Sequence, residues 1–308
     1  MSISIILLLL IIVVLFENIS TFHLPNGLIY NGTIFKSEDY PYVMYLRIFY
    51  TPVMKDYTKC TGTLVKKMFI LTAAHCCHEK NKSLIHVYQG SPKVNPKIHK
   101  VVKMTQHPDY DPIKYPFGPR GDICVLQLEK AFPNIKTFSK IGGSPKDFKK
   151  GKLNCTMIGF GQTGDKTTSG ESGYIMTNNV AYGPTACKLH ETEEIQNSWE
   201  QYLCLEPNGY ATPCRGDSGG PMICNGMQYG VCSYGYSYTN GPEECGSPGQ
   251  QEIYSFINAH KRWLNNIIEP KKNKKKKKRS SGNFLKLHPT CMHIILLILL
   301  YNIMLTFI

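Results

Sequence analysis

Short runs in which apolar and polar side chains alternate recur along the middle of the chain. They predict strands over residues 42–49, 63–71, 85–89, 98–104, 123–128, 153–160 and 228–234, because a two-residue period sends one set of side chains to one face of a sheet. Pro108, Pro116, Gly118, Gly142, Gly143, Gly161 and Gly164 punctuate the gaps. Many short strands set apart by turn residues read as an all-β sandwich or barrel, not as an α/β layout. One segment departs from the pattern. After Ser255, a candidate N-cap, the apolar residues Phe256, Ile257, Ala259, Trp263, Leu264, Ile267 and Ile268 fall on one helical face, which predicts a single closing helix.

Both ends carry longer apolar runs. Residues 5–16 are unbroken and apolar, short for a bilayer span but suited to the core of a secretory signal peptide, despite lacking the usual basic start. The expected organisation is a signal peptide over 1–20, a propeptide over 21–28, a folded body over 29–268, a polybasic linker over 269–283 and a hydrophobic anchor signal over 284–308. A retained signal anchor is the alternative at the N-terminus. Near the C-terminus, Ser280, Ser281, Gly282 and Asn283 precede a spacer and an apolar end, the layout of a GPI-anchor signal. A transmembrane anchor competes, although it would leave the lysine run outside, against the positive-inside bias.

Charge changes the picture little. The formal net charge is +13, but Lys271, Lys272, Lys274, Lys275, Lys276, Lys277, Lys278 and Arg279 supply eight positives in one run. Such a run stays solvated and ends the domain. The body is mildly basic and has no interleaved aromatic pattern, so a nucleic-acid binder is not indicated. Twelve cysteines without a C-x-x-C pair point to disulfides in an oxidising compartment and not to a metal site. Asn31, Asn81 and Asn154 stand in glycosylation sequons.

The chemistry is concentrated in three places. Cys214-Arg215-Gly216-Asp217-Ser218-Gly219-Gly220-Pro221 surrounds a serine with the glycines a tight turn needs. A serine hydroxyl is a weak nucleophile that requires a base and donors for an oxyanion. His75, in Leu71-Thr72-Ala73-Ala74-His75-Cys76, is a candidate base, and Asp122, heading an apolar strand, is an acid whose burial demands a partner such as an imidazole.

The order His, Asp, Ser and these motifs resemble the chymotrypsin (trypsin-like) serine protease family over about residues 29–268. The resemblance implies two antiparallel six-stranded β-barrels with a C-terminal helix. It implies an endopeptidase with His75 as general base, Asp122 as orienting acid, Ser218 as nucleophile, and Gly216 with Ser218 as the oxyanion hole. The family's common bridges would join Cys60 to Cys76, Cys155 to Cys224, Cys187 to Cys204 and Cys214 to Cys245. Cys77 and Cys124 would lie close in the family geometry, as a fifth bridge or as two buried thiols, leaving Cys232 without a partner in the domain. Ser233, Tyr234 and Gly235 resemble the substrate-binding strand, with Ser233 supporting Asp122. A monomer acting on proteins or peptides without metal or cofactor follows.

Two departures from the family pattern matter. Ile29 resembles the new N-terminus that pairs with Asp217 on activation, yet Leu28 stands where a basic residue is usual. Activation would need a protease that is not trypsin-like, and a latent homologue acting as a binding protein is the alternative. At the base of the specificity pocket stands Thr212 where trypsin-like members have an acid. Counted without a gap from Ile253-Tyr254, Glu252 falls in the pocket wall; counted from Pro248-Gly249, Gly249 takes that place. Glu252 in the pocket would admit Lys or Arg together with large aromatics.

Overall fold

A computed structural model describes residues 29, 32–116, 118, 120–162, 172–187, 192–207, 211–237, 245–246, 249–270 and 289–305. The expected signal peptide and propeptide, Asn31, and the lysine run lie outside the described residues. After the two-residue strand β1 (Thr33–Ile34), six strands close a first barrel: β2 (Val43–Phe49), β3 (Tyr57–Lys66), β4 (Phe69–Thr72), β5 (Ile85–Gln89), β6 (His99–Gln106) and β7 (Cys124–Leu128). Their order around the barrel is β2-β3-β4-β7-β6-β5. A second barrel follows from β8 (Leu153–Gly159), β9 (Tyr174–Ala181), β10 (Tyr202–Leu205), β11 (Pro221–Cys224), β12 (Met227–Ser237) and β13 (Gln250–Phe256). Its order is β9-β10-β13-β12-β11-β8, closed by the β8–β9 pair, with β1 added beside β9. Every strand pair is antiparallel. This is the architecture the sequence predicts.

Alternation in β2 explains how the barrels meet. Met44, Leu46 and Ile48 enter the core of the first barrel. Val43 and Tyr45 point the other way and join Tyr88, Ile158 and Phe160 in a cluster shared by both barrels, with Tyr45 and Phe160 edge to face at 5.5 Å. Each such side chain contributes about 1.5–3 kcal/mol when fully buried, so the junction that carries the site is itself a core. Met157, Met176, Leu203, Met222, Tyr254 and Phe256 fill the second barrel.

The structure differs from the sequence reading in three places. The single strand predicted over 63–71 is split, because the chain reverses between Lys66 and Phe69, which face each other across β3 and β4. β1, β9, β10, β11 and β13 are additions, since their sequences alternate weakly or are short. The closing helix is present, but Ser255 is not its N-cap. After the short helix α1 (Glu193–Gln196), helix α2 (Ile257–Ile268) begins behind Phe256 with no side-chain cap bond, and the Ser255 hydroxyl instead donates to the Asp122 carbonyl at 3.0 Å. A further helix, α3 (Pro289–Leu305), belongs to a separate unit that starts at Lys271. No helix of the described residues is long and apolar enough to cross a membrane.

Five disulfides form among the described residues: Cys60–Cys76, Cys77–Cys124, Cys155–Cys224, Cys187–Cys204 and Cys214–Cys245. The open question about Cys77 and Cys124 is thus answered by a bridge. Cys232 is buried and unbridged.

Candidate active site

β4 ends at Thr72, and the following turn carries His75 directly before two stapled cysteines. Cys76 is bonded to Cys60 on β3, and Cys77 to Cys124 at the start of β7. The second staple lies two residues beyond Asp122, so histidine and acid are held to one another covalently as well as by hydrogen bonds. One Asp122 oxygen accepts the His75 backbone N–H at 2.9 Å, and the other lies 2.9 Å from His75 Nδ1. The Ser233 hydroxyl from β12 donates to that second oxygen.

Asp122 is only 1% exposed. Burial pushes its carboxyl up, but the His75 charge and the bonds from His75 and Ser233 outweigh that and hold it below the usual range. His75 responds oppositely. Burial pulls its ring down, while the charge and hydrogen bond of Asp122 more than restore it, so its pKa ends above the ordinary histidine value. With Nδ1 engaged by the acid, Nε2 is the nitrogen left for other chemistry.

The serine loop is tied to the other barrel. The Ser218 carbonyl accepts the Thr61 N–H at 2.8 Å, and the Gly216 carbonyl accepts the Thr61 hydroxyl at 2.9 Å. The same hydroxyl accepts the Phe160 N–H at 3.0 Å, so fully buried Thr61 buckles β3 to both loops of the second barrel. Sequence reasoning missed it, because a threonine in an alternating strand carries no signal of its own. Gly219 lies at φ +83°, and a Cβ there would fall 2.0 Å from Thr72 Oγ1 and 2.3 Å from the Thr61 carbonyl. Only glycine lets the loop press this closely on the strand that leads to His75. Among the described residues the N–H groups of Gly216 and Ser218 make no hydrogen bond. The Ser218 hydroxyl makes none to His75, a contact that in free enzymes often tightens only with substrate.

Asp217, next to the serine, is 2% exposed. Its oxygens accept the N–H groups of Cys214 and Gly161, each at 2.8 Å, and no cation faces it among the described residues. Burial pushes it to about 7, against the pull of those two bonds. Ile29 is buried in the core of the second barrel, and in the uncut chain it offers an amide and not an ammonium.

Beside Ser218 opens a pocket of about 230 Å³, lined by Ser233, Tyr234, Gly235, Gln250 and Glu252 among others. Gly235 faces Glu252 across β12 and β13, beyond a register shift between Cys232 and Tyr234. A Cβ on Gly235 would meet the Glu252 Oε1 at 2.2 Å, so the missing side chain is what lets the acid lie across the strand. Thr212, expected at the base of the pocket, is not among its described lining residues. Its hydroxyl donates to Glu252 Oε1 at 3.2 Å, and the Gln250 amide donates to the same oxygen at 2.6 Å. Burial pushes Glu252 up to about 8; the Thr212 and Gln250 bonds pull down and the Asp217 charge adds to the rise.

Two closed six-stranded barrels, with a histidine and aspartate from one and a serine loop from the other meeting at their junction, define the chymotrypsin-like class of β-barrel proteins. The chain belongs to the trypsin family, whose model, described as Trypsin, matches residues 29–264. It is similar to cathepsin G of Mus musculus, 29% identical over 70% of this chain and 79% of that protein. It is also similar to chymase of Canis lupus familiaris, 26% identical over 79% of this chain and 91% of that one. Among solved structures, that of HL collagenase superposes with a TM-score of 0.63 at 22% identity, covering 78% of this chain and 98% of that chain. Family membership supports a peptidase function.

Proposed function

We propose that the chain is an exported serine endopeptidase that cleaves peptide bonds through an acyl-enzyme. The hydrogen-bonded chain from Ser233 through Asp122 to His75, set beside the Ser218 loop, carries this reading. His75 Nε2 takes the proton of the Ser218 hydroxyl as its oxygen attacks the scissile carbonyl. The N–H groups of Gly216 and Ser218 receive the oxyanion. His75 then gives its proton to the leaving amine, Ser218 holds the acyl group, and a water activated by the same nitrogen releases it. Asp122 stabilises the imidazolium throughout and stays ionised.

Glu252 sets a mixed preference for Lys or Arg and for large aromatics at the cleaved position. That no cation faces the buried Asp217 among the described residues, together with Leu28, supports synthesis as a latent form. Release of Ile29 by a protease other than a trypsin-like one would supply the ammonium that Asp217 lacks and settle the oxyanion loop. Five disulfides favour an oxidising compartment, and the chain would act as a monomer outside the cell, held at its surface through the C-terminal signal. Ser218→Ala, made in protein that begins at Ile29, should lower turnover on peptide substrates by several orders of magnitude. Retention of most activity would remove the assignment.

A further inference from the structure

The segment that carries Asp122 is held from two sides by residues that are not among the described lining of the pocket beside Ser218. His107 follows β6 directly, and its N–H donates to the Ile123 carbonyl at 3.0 Å while its ring lies against Gly121. A Cβ on Gly121, where φ is +61°, would fall 2.6 Å from His107 Nδ1, so the ring closes on a turn that only glycine adopts without strain. One residue thus grips both chain neighbours of Asp122. From the other side Ser255, just ahead of α2, donates to the Asp122 carbonyl at 3.0 Å. His260 of α2 sets its ring edge to face on His107 at 4.7 Å, and Trp263 packs on His107 at 4.9 Å.

Two imidazoles in contact can share an interior only while both are uncharged. His107 is 9% and His260 4% exposed, and His260 Nε2 has no hydrogen-bond partner. His107 Nδ1 accepts the Asp109 N–H at 3.2 Å, a bond that a proton on that nitrogen would break. The acids that face the pair are Asp109, exposed and 3.9 Å from His107 Nδ1, and Asp122, whose charge favours a proton on His260. Gln201, ahead of β10, meets the Gly121 N–H with a neutral amide at 3.2 Å. Burial outweighs both acids, and the His107 charge adds to the effect on His260, so both rings stay below the ordinary histidine value, His260 at about 3.

We propose that His107 and His260 form a positioning pair that holds Asp122 in line with His75 while uncharged and releases it when the rings take protons. The inference rests on the reading of His75, Asp122 and Ser218 as a working triad. A histidine in water titrates near 6.5, so the closed pair keeps its full stability above that value and loses it as pH falls toward about 3. For His260 alone, release is favoured roughly 25-fold more at pH 5 than at pH 7. Acid then removes the orienting carboxylate as well as the free base, and activity shuts off over a narrower pH span than one titrating histidine gives. Plain acid unfolding is the competing account, and His99 separates the two. It is 8% exposed and also held low by burial, but it stacks on Phe132 at 3.8 Å.

The test follows kcat/KM on a Phe-containing peptide from about pH 4 to about pH 8 in protein beginning at Ile29, each profile scaled to its own value at the upper limit. The acid limb should be steeper than one proton per pH unit. His260→Phe, which keeps a ring against His107, and His107→Asn, which keeps an acceptor for the Asp109 N–H, should each lessen the steepness. The double variant should leave the single proton of His75, and His99→Phe should leave the limb as it is. With Trp199→Phe, Trp263 is the one remaining tryptophan of the chain, and its emission should change over the same range and cease to do so in the double variant. A one-proton limb in the unsubstituted protein, or a steep limb that the double variant leaves unchanged, would overturn the proposal. An equal effect of His99→Phe would assign the steepness to general unfolding and overturn it too. Absence of activity at every pH would refute the triad reading instead, and the Trp263 emission would still decide whether the pair responds to acid.

Discussion

In the proposed pocket, substrate choice follows from the environment of Glu252. Its carboxyl sits at about 8 because it is buried, so near neutral pH the pocket wall is mostly uncharged and accepts an aromatic ring. Above that value it ionises and attracts a cation, while a substrate lysine keeps its charge to about pH 10. The ratio of kcat/KM for cleavage after Lys to that after Phe should therefore climb as pH rises through about 8. Glu252→Gln should remove the climb and, above about pH 8, lower cleavage after Lys by roughly tenfold, about 1.4 kcal/mol of transition-state binding, leaving Phe substrates nearly unchanged. Equal effects on both substrates would take Glu252 out of the specificity role. At this scale the motifs around His75, Asp122 and Ser218 were legible because the chemistry needs those residue types in that order. Thr61, Gln250 and the bond from Thr212 to Glu252 were not, since each depends on which segments lie side by side.

Among the elements, the serine loop stores a penalty that processing would relieve. Asp217 lies at about 7 in the uncut protein, against about 3.9 for an unfolded aspartate. Between those values the folded chain holds a proton that the unfolded chain has lost, so stability falls as pH rises from about 4 to about 7 and levels off above. Glu252 adds to the fall up to about 8. Asp217→Asn should thus make the melting temperature of the uncut protein less sensitive to pH over that window, without abolishing the slope. In protein beginning at Ile29 the same change should leave activity at the level of the uncut form. An unchanged pH slope together with full activity would exclude the loop as the switch. Strands β2, β5, β7 and β8 were readable from alternation to within a residue, whereas β10 and β11, four residues each, are too short for a period to show. Ser255 looked like a cap by position, and tertiary contact with Asp122 claimed its hydroxyl instead.

For the whole molecule, the first barrel carries His75 and Asp122 and the second carries Ser218, and the shared cluster around Tyr45 and Phe160 joins the two. Cysteine spacing anticipated the staples, and the resemblance carried the pairing, because connectivity cannot be deduced from spacing alone. The fold was therefore legible as two barrels, while their junction, built by outward-facing residues of β2, was visible only in three dimensions. On the proposed reading, release of Ile29 turns a folded latent chain into a serine hydrolase acting through Ser218. Labelling with an active-site fluorophosphonate, followed by peptide mapping of the uncut protein and of protein whose mature N-terminus is Ile29, tests it most directly. Rapid labelling at Ser218 in the Ile29 form, with little in the uncut form, is the predicted result; absence of label from the Ile29 form, or label on another residue, would contradict it.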